Sequence, residues 1–171
     1  WRAAQGRPGI ELHSEISVMV DRLDQRSDTS LLVFEQVPEA FIVASLGAGP
    51  GIWNSRVSVQ VIPLDAGKPV VELILAQRQA IDELLELRIE RDDPPTGPFM
   101  SACTLAWSML DESVRRNIES AETVLVTIDS QTDLDQFPVE LLHDGETFLG
   151  LRRKVIRVPS LAELNYLLCE N

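Results

Sequence analysis

Apolar residues recur along this chain at two distinct periods, and the changes of period mark its elements. Leu12, Ile16, Val20 and Leu23 are spaced for a helix over Ile10 to Leu23. Leu31 to Val37 and Ala40 to Leu46 are rich in β-branched and aromatic residues, with Pro38-Glu39 between them. This predicts an antiparallel hairpin. From Arg56 to Ile62 the period is strictly two: Val57, Val59 and Val61 on one face, Arg56, Ser58 and Gln60 on the other, a half-exposed third strand. Helical spacing returns over about Val70 to Ile89, where Val70, Ile74, Ile81, Leu84 and Leu85 form a stripe that Leu73 and Ala80 widen. Pro69 suits the first turn of that helix. A second long helix is expected over Phe99 to Ile118, on the stripe Met100, Cys103, Trp107, Leu110, Val114 and Ile118.

The last fifty residues carry the most detailed pattern. Val124-Leu125-Val126 and Ile128 read as a strand buried on both faces, with Asp129 opening a polar loop. Leu134, Phe137-Pro138, Glu140-Leu141-Leu142, Asp144-Gly145 and Phe148-Leu149-Gly150 follow in order. Val155 to Val158 forms a short strand stopped by Pro159-Ser160, and Ser160 caps a final helix with Glu163 three residues on, a capping box. The charged, proline-bearing stretch Arg88 to Pro98 is the expected weak connection. Helices across a mixed sheet, an α/β fold with an antiparallel hairpin, account for all of these elements.

Composition narrows the function classes. The chain has 171 residues, 44% hydrophobic and 25% charged, enough for one ordinary core. Fifteen basic against 27 acidic residues leave a net charge of −12. This disfavours nucleic acid and anionic membranes, which both require a basic face. No apolar run approaches the ~18 residues of a membrane span. The two cysteines, Cys103 and Cys169, fall on apolar helical faces, which points to core thiols in a reducing cytoplasm; a disulfide is the alternative. The chain starts at Trp1 without a signal-peptide pattern, and its start is expected to be internal.

The ordered series Leu134 to Leu142, Asp144-Gly145, Phe148-Leu149-Gly150 and Arg153 through Ser160-Leu161 resembles the CHAT family of caspase-like cysteine peptidases. The likeness covers about the last third closely, and the preceding hairpin, strand and helices in order only. It implies a caspase-like fold, with residues 31–171 as the non-catalytic, pseudo-protease half. Residues 1–30 would be a linker and a helix that could end an upstream tetratricopeptide-type repeat region. The family's catalytic His-Gly and Ser-Ala-Cys steps lie downstream of the Pro-Ser strand, and this chain stops about a dozen residues after it. The resemblance therefore implies a scaffold for a missing catalytic half that hydrolyses protein substrates, on the same polypeptide or on a second chain after cleavage near Asn171. It implies no catalytic residue, cofactor or metal here. A stand-alone interaction or regulatory module of the same type is the alternative.

Four local features invite chemistry. Ser101-Ala102-Cys103-Thr104 looks like the family's nucleophile step, but Cys103 sits on a helical stripe and precedes His143, the reverse of the family order. A core thiol is the preferred reading, and a Cys103–His143 enzyme the distant one. Asp129, Asp133, Asp135 and Asp144 cluster, yet lack an EF-hand's glycine and terminal glutamate, so a solvated rim is expected. Glu140, set among apolar residues, should pair with an arginine such as Arg152 or Arg153, fixing its loop, and the Arg152-Arg153-Lys154 run should neutralise nearby aspartates. The run Gly47-Ala48-Gly49-Pro50-Gly51 lacks the lysine of a phosphate loop and is expected to be a plain loop.

Overall fold

The computed structural model describes residues 21–23, 25–37, 39–48, 57–63, 68, 71–72, 74–77, 98–128 and 137–169. The expectations for residues 10–20, for the larger part of the 70–89 helix and for the 88–97 connection lie outside these, as do Leu134, Asp129, Asp133 and Asp135. Five strands make one mixed sheet: β1 (Thr29–Val37), β2 (Ala40–Leu46), β3 (Val57–Pro63), β4 (Thr123–Ile128) and β5 (Lys154–Val158). Their order is β3-β2-β1-β4-β5. The hairpin β1–β2 and the pair β2–β3 are antiparallel, as expected. β1–β4 and β4–β5 are parallel. This is the α/β mixed sheet read from the pattern.

Alternation along the central strands divides the core in two. Leu32, Phe34, Phe41, Val43, Val124, Val126 and Ile128 face α1 (Pro98–Ser108), α2 (Glu112–Glu119) and the segment after Phe137. Leu31, Leu46, Leu125 and Val158 face the opposite way, onto Leu23 and the C-terminal helix. β4 is therefore buried on both sides, with Val124 and Val126 at most 1% exposed. Its uninterrupted apolar run is the consequence of covering both faces of a parallel strand.

The single helix expected over Phe99 to Ile118 is in fact two. α1 stops at Ser108 and α2 begins after Asp111. The stripe survives the break: Cys103, Trp107, Leu110, Val114 and Ile118 are all buried. What holds the break is Gln60 of β3. Its side-chain amide donates to the Met109 carbonyl at 2.8 Å, and its carbonyl accepts the Asp111 N–H at 2.9 Å. One glutamine thus satisfies two backbone groups that a helix end leaves without intrahelical partners.

This reverses what hydrophobicity would dictate for β3. The alternation is present, but the polar face turns inward. Ser58 and Gln60 point at the helices, whereas Val59 and Val61 are 64% and 63% exposed. Asn117 of α2 donates to the hydroxyls of Ser45 (3.0 Å) and Ser58 (3.3 Å), so α2 meets β2 and β3 through hydrogen bonds. Gly47 follows β2 beside this amide, and a Cβ there would lie 2.6 Å from Asn117 Oδ1. The next N–H, of Ala48, donates to Ser120 Oγ at 3.0 Å, which ties the start of the glycine-rich run to the end of α2.

Candidate functional site

The segment that carries the family resemblance packs across the parallel strands, against α1. After Phe137-Pro138 the chain makes a 3-10 turn, Val139–Leu141, closed by the Leu141 N–H on the Pro138 carbonyl at 2.9 Å. His143 and Phe148 then pair as an antiparallel bridge. Between them Asp144 accepts the N–H groups of Glu146 (2.8 Å) and Thr147 (2.9 Å), an Asx-type turn. Gly145 takes φ +106°, which side-chain-bearing residues rarely adopt. α3 (Leu149–Arg152) closes the segment, and its Gly150 lies against Glu140, where a Cβ would come within 3.1 Å. Phe137, Val139, Leu142 and Leu149 are almost wholly buried. α4 (Leu161–Cys169) follows β5, and Ser160 Oγ accepts the Glu163 N–H at 3.1 Å, as the capping box predicts.

Three arginines hold this segment, each in a different way. The partner of Glu140 is Arg157, not Arg152 or Arg153. Its guanidinium donates from Nε (2.8 Å) and Nη2 (2.7 Å) to the two carboxylate oxygens, and from Nη2 to the Phe137 carbonyl at 2.7 Å. The alternation of β5 explains the choice, since Val155 and Arg157 share the face turned toward the 137–149 segment. Arg152 does neutralise an aspartate, Asp144, at 2.8 Å, and its guanidinium lies 5.9 Å from the Trp107 ring centroid. Arg153 donates to the Glu119 carbonyl at 3.0 Å, at the negative end of α2.

Burial acts to raise the Glu140 pKa, but the Arg157 hydrogen bonds and charge, with a backbone N–H, outweigh it and hold the carboxyl below its usual range. Asp144 is lowered by the Thr147 N–H first, then, against a smaller burial effect, by the Glu146 N–H and the charge of Arg152. A depressed carboxyl contributes stability above its unfolded pKa and loses it as pH falls through the folded one. Glu140→Gln should therefore lower stability by roughly 1 kcal/mol near pH 7, the pair being 40% and 37% exposed. The difference should shrink as pH falls below the ordinary glutamate range and vanish once pH is below the lowered pKa of the folded carboxyl, where both proteins are uncharged at this position. Urea unfolding across pH checks it, and equal stabilities at pH 7 would remove the pair from the account of this loop.

The structure brings Cys103 and His143 into contact through backbone. The His143 N–H donates to the Cys103 carbonyl at 3.3 Å. The His143 ring is buried; its Nδ1 accepts the Gly145 N–H at 3.1 Å and lies 3.5 Å from Thr104 Oγ1. The ring also stands edge-on to Phe148 at 4.9 Å. The Cys103 thiol belongs to the core, 0% exposed, and burial pushes its pKa up to about 11 against a smaller lowering by a backbone hydrogen bond. Only on the order of 10⁻⁴ of it would be thiolate at pH 7, and the thiolate is the nucleophile. Cys103 is thus a core thiol, as expected; the Cys169 side chain lies outside the description. In mass-resolved alkylation Cys103 should be labelled only as fast as the domain unfolds, and faster labelling in native buffer would contradict this burial.

Gln60 and Asn117, which hold the helix pair to the sheet, do not stand out in the hydrophobic pattern. Neither has a signal in its own neighbourhood, because each partner is dozens of residues away. Among the described residues no helix is long and apolar enough to cross a membrane. No family model, no curated protein and no solved structure matches the chain.

Proposed function

We propose that this chain is the non-catalytic, N-terminal part of a CHAT caspase-like cysteine peptidase, a scaffold that supports and regulates a His/Cys half hydrolysing peptide bonds in a protein substrate. The observation that carries this reading is the packing of residues 137–160. The resembling residues act together there: Phe137, Leu142 and Leu149 fill the core, Glu140 is clamped by Arg157, and Asp144-Gly145 makes the turn. They lead into β5, the edge strand on the parallel side of the sheet. A following β-α-β connection would add its next parallel strand at that edge. The burial of the Cys103 thiol supports a supporting role in place of a cutting one.

A second reading, a stand-alone interaction or regulatory module, is favoured by the exposed valines of β3. The two separate in the gene sequence beyond Asn171 and in an activity assay. With a downstream His-Gly step and a Ser-Ala-Cys-like step present, the joined protein should cleave fluorogenic peptides. Cleavage should be lost on alanine substitution of the downstream cysteine and unchanged by Cys103→Ala. Absence of both steps leaves the module, and hydrolysis by residues 1–171 that Cys103→Ala abolishes overturns both.

A further inference from the structure

The two edges of the sheet are built differently. Among the described residues the sheet ends in β3 on one side and β5 on the other. An edge strand presents a row of backbone N–H and C=O groups that no neighbour takes, and proteins blunt such edges with short strands, charged side chains, bulges or proline. β5 is guarded in this way: it is five residues long and carries Lys154 and Arg157. β3 is seven residues long, VSVQVIP, and holds no charged residue. Its register with β2 runs unbroken from Ala40↔Pro63 to Leu46↔Val57, without a bulge, and its proline stands at the last position. On its outer face Val57, Val59 and Val61 are 40%, 64% and 63% exposed.

We propose that β3 is a homodimer interface: a second copy of the chain lays its own β3 antiparallel to this one, across a two-fold axis at Val59, and two sheets become one. The strand is its own complement. A two-fold axis perpendicular to the sheet keeps the faces, so each residue must meet one an even number of positions away. Centred on Val59, it sets Val59 opposite Val59 and Val57 opposite Val61, so every valine of the outer face meets a valine. Centred on Gln60, it would set Val57 against Pro63. Matched β-branched residues are among the cross-strand pairs that stabilise a sheet.

The charge selects the same occupant. The chain carries −12, so its copies repel, and an uncharged strand lets them meet without like charges facing across the ladder. A basic partner, which the net charge would attract, finds no carboxylate on β3. The strand is also held ready. On its inner face Gln60 is bonded to Met109 and Asp111, and Ser58 to Asn117, so little ordering remains to be done on association. The pairing needs nothing from a catalytic half. One strand pair is a small interface, below ~1,200 Å², so a dissociation constant in roughly the micromolar range is expected.

Sedimentation equilibrium of the full chain, alone and with the variants Val59→Lys and Val59→Glu, tests this. The unmodified chain should pass from monomer to dimer over a ~100-fold range of concentration, and more readily at high salt, which screens the repulsion between copies. Each variant alone sets like charges opposite each other at the axis and should weaken the dimer by about tenfold or more. Mixed in equal amounts, the two variants set Lys opposite Glu and should associate to within about threefold of the unmodified chain. Any of three results overturns the proposal: a chain that stays monomeric throughout, a dimer that neither substitution weakens, or a loss in both variants that mixing does not relieve.

Discussion

Phe137→Ala is expected to lower unfolding free energy by about 3–5 kcal/mol, the range for truncating a buried aromatic. The ring is 0% exposed and stands edge-on to Phe34 of β1, centroids 5.1 Å apart at 74°. Such a pair adds ~0.5–1.5 kcal/mol beyond area burial. Its loss acts at a second point, because the Phe137 carbonyl accepts from Arg157, which also holds Glu140. A cavity under this residue therefore loosens the clamp that positions the 3-10 turn. Urea or thermal unfolding measures it, and a loss under ~1 kcal/mol would mean that Phe137 does not occupy the core in solution.

Asn117→Ala should cost about 2–3 kcal/mol, an effect that nothing in the periodicity of α2 suggests. The amide is 8% exposed and donates to Ser45 and Ser58 on adjacent strands. Without it the Ser45 hydroxyl, 4% exposed, loses this partner in the interior, and an unsatisfied buried polar group costs ~1–3 kcal/mol. In a domain of this size that is a fall of several degrees in Tm. Ser45→Ala combined with Asn117→Ala should cost less than the sum of the two, because each removes the other's partner. Strict additivity would show that the network does not couple.

Much of the architecture was legible because it rests on local rules. β4 announces itself in Val124-Leu125-Val126 and Ile128, an apolar run that only a doubly covered strand tolerates, and the strand observed is Thr123–Ile128. The β1–β2 hairpin follows from two β-rich runs and a two-residue connection. Ser160 and Glu163 mark the start of α4, and the Ser160 hydroxyl takes the Glu163 N–H as a capping residue should. The core thiol of Cys103 was legible from its place on a helical stripe.

Three features were not legible, for one physical reason. Val57, Val59 and Val61 alternate with Ser58 and Gln60, but a period of two says only that the faces differ, not which one turns inward. The orientation was decided by α1 and α2, whose break at 109–111 needs a donor and an acceptor that Gln60 supplies. The same holds for the break itself, since a continuous apolar stripe is blind to a kink that keeps its phase. It holds again for Glu140: its need for an arginine followed from its apolar neighbours, while the choice of Arg157 came from the face that β5 presents. Hydrophobic spacing and end-capping act over one or two turns and are written in consecutive residues. Hydrogen-bond partners for buried polar groups are chosen among side chains that only the folded chain brings together.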